Sequence, residues 1–185
     1  MPPCRGARSV FLTFDDGPTP YTPFLIELLA EYGLQATFFW TWSRYSDKVI
    51  PSLLPHLWVH HHKVALHGLV HLSAWREAVR VSDLRRAIHL WKKAGVPLVP
   101  AYRPPYGHLW PLFLSRYLHL VFWDLMPPDY LPTKGWEREL LGRLRPGDVV
   151  VLHEHAHNRK RWRSLFSAFV SEGWQSAALP LAVLE

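Results

Sequence analysis

Cysteine is almost absent from this chain of 185 residues: the sequence contains one, Cys4. A disulfide within the chain is therefore excluded. No run approaches the roughly 18 apolar residues that a membrane-spanning helix requires, so no membrane span is predicted. A signal peptide is also missing, because residues 1–9 are short and polar and lead directly into a strand-like run. We expect the chain as written to be cytoplasmic, or extracellular if a leader was removed from it.

The sequence also lacks interdomain linkers, repeats and low-complexity segments, which predicts a single domain over residues 1–185. Apolar residues make up 49% of the chain and charged residues 19%, a composition typical of globular proteins. The net charge of +6 favours anionic partners. We interpret the densest basic cluster, residues 158–163, as the solvated start of a helix. No DNA- or RNA-binding signature accompanies it, so no nucleic-acid partner is expected.

Short apolar runs alternate with helical patterns along the whole chain. The alternation predicts parallel strands joined by crossover helices, and either a closed or distorted β/α barrel or an open doubly wound sheet fits it. Thr22 is predicted to cap the first helix. The run at 148–152 is apolar inside, which predicts a central strand. The predicted strands lie at 9–14, 36–40, 63–66, 98–102, 118–123 and 148–152, with a short one near 175–178, and the main helices at 23–32, 49–60, 82–94, 136–144 and 161–172.

In both folds functional residues gather just past the C-terminal ends of the strands. The first predicted strand ends in Thr-Phe-Asp-Asp-Gly-Pro, with the carboxylates at Asp15 and Asp16. Two adjacent carboxylates repel each other unless a cation shares them. A metal ion on one, with the other left free as a base, meets that requirement. The alternative is an ordinary Asp-Gly turn.

Histidines follow the third predicted strand in the same way. His67 and His71 have the i, i+4 spacing that lets two side chains grip one metal ion. His56 and His60 have the same spacing, but no carboxylate-bearing strand end lies near them. We interpret those two as a solvated helix end and assign the metal to the pair that follows a strand.

Two further strand ends carry polar residues. Arg103 opens the segment Arg-Pro-Pro-Tyr-Gly, where it could orient a carboxylate by bidentate bonds, and the prolines leave the Tyr106 N–H free to point inward. His153 is the first residue past the run at 148–152, where a catalytic acid would lie. The alternatives are a structural proline-rich turn and a satisfied buried histidine.

The order of these motifs is more specific than any one of them. Asp-Asp, a His pair, Arg-x-Pro-Tyr-Gly and Leu-His, each after a predicted strand, resemble the polysaccharide deacetylase family (carbohydrate esterase family 4). The resemblance covers almost the whole chain, and Thr-Phe-Asp-Asp-Gly is its most distinctive element. It implies a distorted β/α barrel of about seven parallel strands, removal of N- or O-acetyl groups from a carbohydrate, and a divalent metal, for which we expect zinc.

The resemblance also implies a role for each matching residue. The partner would be an N-acetylated sugar or oligosaccharide. Carried over, the roles are general base for Asp15, metal ligands for Asp16, His67 and His71, orientation of the base for Arg103, oxyanion donor through the backbone N–H for Tyr106, general acid for His153, and an apolar wall near the acetyl methyl for Leu152.

The chain departs from the family pattern at two places. The residue after the first metal histidine is usually Ser or Thr, and here it is Gly68. The fourth motif, normally Asp-x-x-Asp-Trp, aligns on Asp129 and Tyr130, which places Met126 at the first Asp. Asp124 lies two residues upstream on the same strand face, so we consider it as the partner of His153, and the sequence leaves open whether Asp124 or Asp129 replaces the missing Asp.

Two other functions remain open from the sequence. The same metal site could hydrolyse a non-sugar C–N bond in a small metabolite, which the lack of a signal peptide favours. The second alternative is a catalytically inactive domain that binds carbohydrate, which the basic charge and the many Trp residues would suit. The complete Asp/His/His set argues against the latter, because an inactive domain has no need of both Asp15 and His153.

The placement of the histidines yields a first prediction. Substituting His56 and His60 together should leave one divalent ion bound per chain, because the ion lies on the strand-end set. Metal content after dialysis measures this directly. Loss of the ion from the double variant would show that the site is assigned to the wrong histidines.

Overall fold

A computed structural model describes residues 8–42, 46–69, 81–108 and 115–184. The predicted ligand His71 lies outside these ranges. No helix in them is both long and apolar enough to cross a bilayer. The strands are β1 Ser9–Gly17, β2 Ala36–Trp40, β3 Lys63–Leu66, β4 Leu98–Tyr102, β5 His119–Leu120, β6 Val149–His153 and β7 Gln175–Ser176, and the helices are α1 Thr22–Glu31, α2 Ser46–Val59, α3 Val81–Lys93, α4 Trp136–Arg143 and α5 Arg159–Ser171.

All the strand pairings in the described residues are parallel, as predicted. The strands run in the order β5-β4-β3-β2-β1-β6, and β7 pairs with β1. The prediction that the strand at 148–152 is central is not met in this order, where β6 comes last; its other side is met by a single parallel bridge from Leu125. Its apolar character has another cause: Val150, Val151 and Leu152 are buried on both faces of the sheet.

The segment after β5, residues 121–125, closes the sheet into a distorted barrel and is called the closing segment below. The predicted strand at 118–123 pairs with β4 only through His119 and Leu120 and then crosses toward β6. Its Val121 N–H donates to the Tyr102 carbonyl (3.0 Å). Farther along, Leu125 accepts from the Val151 N–H (2.9 Å) and pairs in parallel with β6. The predicted barrel is thus confirmed, and the open sheet is not.

Strand alternation separates two apolar regions. On β2, Phe38 faces the helices, where it stacks on Phe14 at 5.5 Å between ring centroids, and Phe14 in turn meets the edge of Phe166 of α5. The neighbouring Phe39 belongs to the smaller cluster that fills the barrel. Leu179 of the C-terminal segment joins this cluster, which leaves the opposite end, past the C-termini of the strands, for polar groups.

The outer core yields a stability prediction. Phe166→Ala should lower the free energy of unfolding by about 3–5 kcal/mol, because a fully buried ring would leave a cavity against Phe14. Val170→Ala on the same helix is the control, since 40% of Val170 is exposed, and should change it by less than about 0.5 kcal/mol. Urea unfolding measures both, and equal losses would contradict the packing described.

Candidate active site

A cavity of about 380 Å³ opens where the strands end. Side chains from β1, the β3 end, the loop after β4 and β6 meet there, so the convergence expected from the sequence occurs. Arg103 lies behind Asp15, wholly buried. The lining residues are Asp15, Asp16, His67, Pro104, Tyr106, Gly107, Trp123, Met126, Tyr130 and His153.

A backbone irregularity turns both carboxylates of β1 into this cavity. In a regular strand, consecutive side chains point to opposite faces, so Asp15 and Asp16 could not both line it. Asp16 instead takes a left-handed conformation (φ 72°), and the pairing of β1 with β2 shifts register between Asp15 and Gly17. Asp tolerates this conformation better than most residues. The bulge therefore places two adjacent carboxylates side by side.

Arg103 fixes the first of these carboxylates. Its Nη1 donates to Asp15 Oδ1 (2.7 Å) and to the Thr13 hydroxyl (2.8 Å). Its Nε and Nη2 donate to the carbonyls of Val121 and Phe122 in the closing segment. Burial lowers the pKa of Arg103, and the Asp15 charge opposes that effect. Asp15 Oδ1 is thereby committed to the guanidinium, and Oδ2 faces His67 Nε2 at 4.0 Å.

The tautomer of His67 follows from its neighbours. Its Nδ1 lies 2.8 Å from the Arg103 carbonyl, which can only accept, so Nδ1 carries the proton. In neutral His67 the lone pair is then on Nε2, which lies 3.6 Å from Asp16 Oδ1. An imidazole nitrogen and a carboxylate oxygen at this separation suit two ligands of one divalent ion.

These two residues fit part of the predicted metal site. The third predicted ligand, His71, lies outside the described ranges, and within those ranges no set of three His, Cys, Asp or Glu side chains is placed to hold an ion. His56 and His60, at the C-terminal end of α2, stack on each other with 6.2 Å between their ring centroids, and neither lines the cavity.

His153 is paired with Asp129, not with Asp124 as considered from the sequence. Its Nδ1 is 2.7 Å from Asp129 Oδ1, and its backbone N–H donates to Oδ2 (2.7 Å). Asp124 instead accepts from the Val149 N–H (2.8 Å), because it sits on the closing segment. Burial favours neutral His153, but the Asp129 hydrogen bond and nearby carboxylate charges outweigh it and raise the pKa of His153.

Two departures from regular backbone lie at Tyr106, which lines the cavity, and at Gly68, which follows the lining residue His67. Tyr106, with its side chain 64% exposed, takes a left-handed conformation (φ 60°). Gly68 has φ 110°, a conformation that other residues rarely adopt. The family pattern usually has Ser or Thr at this position. Glycine at 68 suits this conformation, because it has no side chain to oppose a positive φ.

Comparison with known proteins agrees with this geometry. Residues 3–118 match the family model described as polysaccharide deacetylase. The chain belongs to the polysaccharide deacetylase family. A chitooligosaccharide deacetylase from Sinorhizobium fredii is 34% identical, in an alignment that covers 80% of this chain and 73% of that protein.

Solved structures confirm the fold of this deacetylase family member. The family 4 carbohydrate esterase from Streptomyces lividans, in complex with acetate, is 27% identical with a TM-score of 0.78, over 95% of this chain and 96% of that one. A peptidoglycan deacetylase from Bacillus subtilis superposes with a TM-score of 0.81 at 23% identity, over 94% and 89%. The predicted class of enzyme, a carbohydrate deacetylase, is confirmed along with the fold.

Sequence reasoning misplaced the apolar wall of the deacetylase cavity. Leu152, predicted to form it, is buried in the outer core. The apolar lining comes instead from Trp123, Met126 and Tyr130, which lie between β5 and α4. Their segment has no periodic pattern, so only its position just after an apolar run could have pointed to it.

The His153–Asp129 pair generates the third prediction. Asp129→Asn should lower the pKa of His153, because it removes the charge and turns an amide NH2 toward a donor, either Nδ1–H or the backbone N–H. Asp124→Asn is the matched control and should leave that pKa unchanged. A histidine titration by NMR measures both variants. A shift in Asp124→Asn without one in Asp129→Asn would overturn the assignment.

Proposed function

We propose that this protein is a divalent-metal-dependent hydrolase that removes N-acetyl groups from a carbohydrate. One observation carries the proposal. Three paired groups face the same cavity: Asp15 with Arg103, Asp16 with His67, and His153 with its carboxylate partner. A hydrolase of amides needs a base, an electrophilic centre and an acid at one place.

The metal would be held by Asp16, His67 and His71. Nitrogen and oxygen ligands of this kind suit Zn²⁺, and three protein ligands leave coordination positions open. A bound divalent ion supplies Lewis-acid polarisation of the acetyl carbonyl and makes water a better nucleophile. The Arg103 carbonyl fixes the ring of His67 for this role.

Asp15 is proposed as the general base. Arg103 holds its Oδ1, which leaves Oδ2 as the oxygen that accepts a proton from water. As that water attacks, a C–O bond forms at the acetyl carbon. Full burial of Arg103 keeps the carboxylate in one orientation, because no solvent competes for the guanidinium.

His153 is proposed as the general acid. Its Nδ1 proton is held by the Asp129 carboxylate, so the proton that moves is on Nε2. That proton passes to the sugar nitrogen as the C–N bond breaks, which gives acetate and a free amine. The raised pKa of His153 keeps this acid protonated to higher pH. By contrast, burial lowers the pKa of neighbouring His155.

The rest of the cavity suits an acetylated sugar. The Tyr106 backbone N–H would donate to the oxyanion that develops on the acetyl oxygen. Trp123, Met126 and Tyr130 offer apolar surface for the acetyl methyl and a sugar face. The Sinorhizobium relative, named a chitooligosaccharide deacetylase, supports N-acetylglucosamine oligomers as the first substrates to test.

The acid and base variants give the fourth prediction. His153→Ala should keep its metal, lose about 10²- to 10⁴-fold in kcat/KM and flatten the alkaline limb of the pH profile. The wild-type limb falls as pH rises through the pKa of His153, since the acid must be protonated. His155→Ala is the control and should retain the limb. An intact alkaline limb in His153→Ala would assign the acid elsewhere.

Asp15→Asn should likewise keep its metal and lose most activity, because Asp16 still binds the ion. Its melting temperature must be compared with that of the wild type, since the substitution leaves Arg103 buried without its counter-charge.

The function itself is tested by measuring acetate release from a chitooligosaccharide. The measurement is made on the protein as prepared, after a chelator has removed the metal, and after the metal has been added back. A metal-loaded protein that releases no acetate from the chitooligosaccharide, yet hydrolyses a small N-acyl metabolite, would contradict the sugar substrate. Binding without hydrolysis would point to an inactive domain.

A further inference from the structure

One buried acidic residue next to the site has no part in the proposed chemistry. Glu154, which follows the proposed acid, is 2% exposed and does not line the cavity. Its Oε1 accepts from Trp40 Nε1 (2.6 Å), and its Oε2 is hydrogen-bonded to the Thr22 hydroxyl. A carboxyl group therefore joins the ends of β6 and β2 to the start of α1.

This carboxyl group lies against the bulge that carries the two aspartates. The Glu154 backbone N–H donates to the Asp15 carbonyl (3.2 Å). A Cβ placed on Gly17 would come within 2.0 Å of Glu154 Oε1 and 2.3 Å of Trp40 Nε1. The chain just past Asp16 thus packs directly on the carboxyl group and its indole partner.

The bulge needs such support. A non-glycine residue at φ 72° persists only where its surroundings hold it, and a regular strand would turn the Asp16 side chain away from the cavity. The Gly17 carbonyl accepts from the Thr41 N–H (3.0 Å), which holds one side of the bulge. Glu154 fills the other side, where the glycine leaves room for it.

We propose that Glu154 is a positioning residue that holds the Asp15–Gly17 bulge, and with it the metal-binding orientation of Asp16, through its hydrogen bonds to Trp40 and Thr22. The inference rests on the proposed metal-dependent function. It assigns no contact with the substrate, because Glu154 lies behind the cavity wall.

A neutral side chain can perform this role. Burial raises the pKa of Glu154 to about 8, although hydrogen bonds to Thr22 and Trp40 oppose the shift. The Thr22 hydroxyl donates to the ionised carboxylate, but a hydroxyl can also accept, so protonated Glu154 would donate to it while its other oxygen accepts from the Trp40 indole. Glutamine offers the same acceptor and donor. Glutamine is therefore the conservative replacement, and leucine keeps the volume while removing both bonds.

The fifth prediction compares these variants by Zn²⁺ titration of chelator-treated full-length protein and by kcat. Glu154→Leu should weaken Zn²⁺ binding and lower kcat by about 10- to 100-fold each, as for other residues that orient ligands. Glu154→Gln should stay within about threefold of wild type. Leu165→Ala, a buried change on α5 beside α4, should lower the melting temperature without changing Zn²⁺ affinity.

If Glu154→Leu does not fold, Thr22→Val and Thr22→Ser test the same hydrogen bond from the other side. Valine lacks the hydroxyl that bonds Glu154, and serine keeps it. Weaker Zn²⁺ binding in Thr22→Val but not in Thr22→Ser supports the inference. Wild-type Zn²⁺ affinity in Glu154→Leu or Thr22→Val would overturn it, as would equal impairment in Glu154→Gln and Glu154→Leu. Failure of the wild-type protein to bind Zn²⁺ would instead refute the proposed function.

Discussion

The site depends on one buried ion pair. Arg103 is wholly enclosed, so its charge is tolerable only because Asp15 lies 2.7 Å away and each of its three guanidinium nitrogens has a hydrogen-bond partner. Besides Asp15, those partners are the Thr13 hydroxyl and the carbonyls of Val121 and Phe122, while the guanidinium lies 4.0 Å from the Phe39 ring centroid. Removing one member of such a pair typically costs about 3–5 kcal/mol. The same contacts that orient the carboxylate thus join β1, β4 and the closing segment.

Much of this arrangement could be predicted from the sequence because it depends on strand ends. The run 9–14 of β1 and the whole of β4 have the apolar residues of buried strands, and each is followed at once by its polar residue, Asp15 or Arg103. Since parallel strands end at one edge, the two side chains had to approach each other. The family assignment followed from the order of the motifs, and the comparisons confirm it.

The features that sequence reasoning missed depend on tertiary contacts or irregular backbone. Asp124 and Asp129 are equally acidic, and only the path of the chain around the barrel brings Asp129 to His153. The position of β6 at the end of the strand order could not be read from its apolar residues, because helices cover both central and outer strands. Thr22, predicted to cap α1, is instead the first residue of the helix, and Tyr21 occupies the cap position. The Thr22 hydroxyl is hydrogen-bonded to the buried carboxyl group of Glu154, the residue after β6.

The closing segment has a consequence for how this enzyme could diversify. Arg103 recognises it through the main-chain carbonyls of Val121 and Phe122, so the ion pair places no demand on their side-chain identity. The next side chains, Trp123 and Met126, face the cavity. The Trp123 ring centroid also lies 5.9 Å from Arg103 Cζ, so this side chain touches the ion pair as well as the cavity. Substitutions at Met126 can therefore reshape the cavity surface while the main-chain carbonyls keep Arg103 and Asp15 in place. The shape of the cavity and the orientation of Asp15 thus depend largely on different atoms of one short stretch, and the first can change without the second.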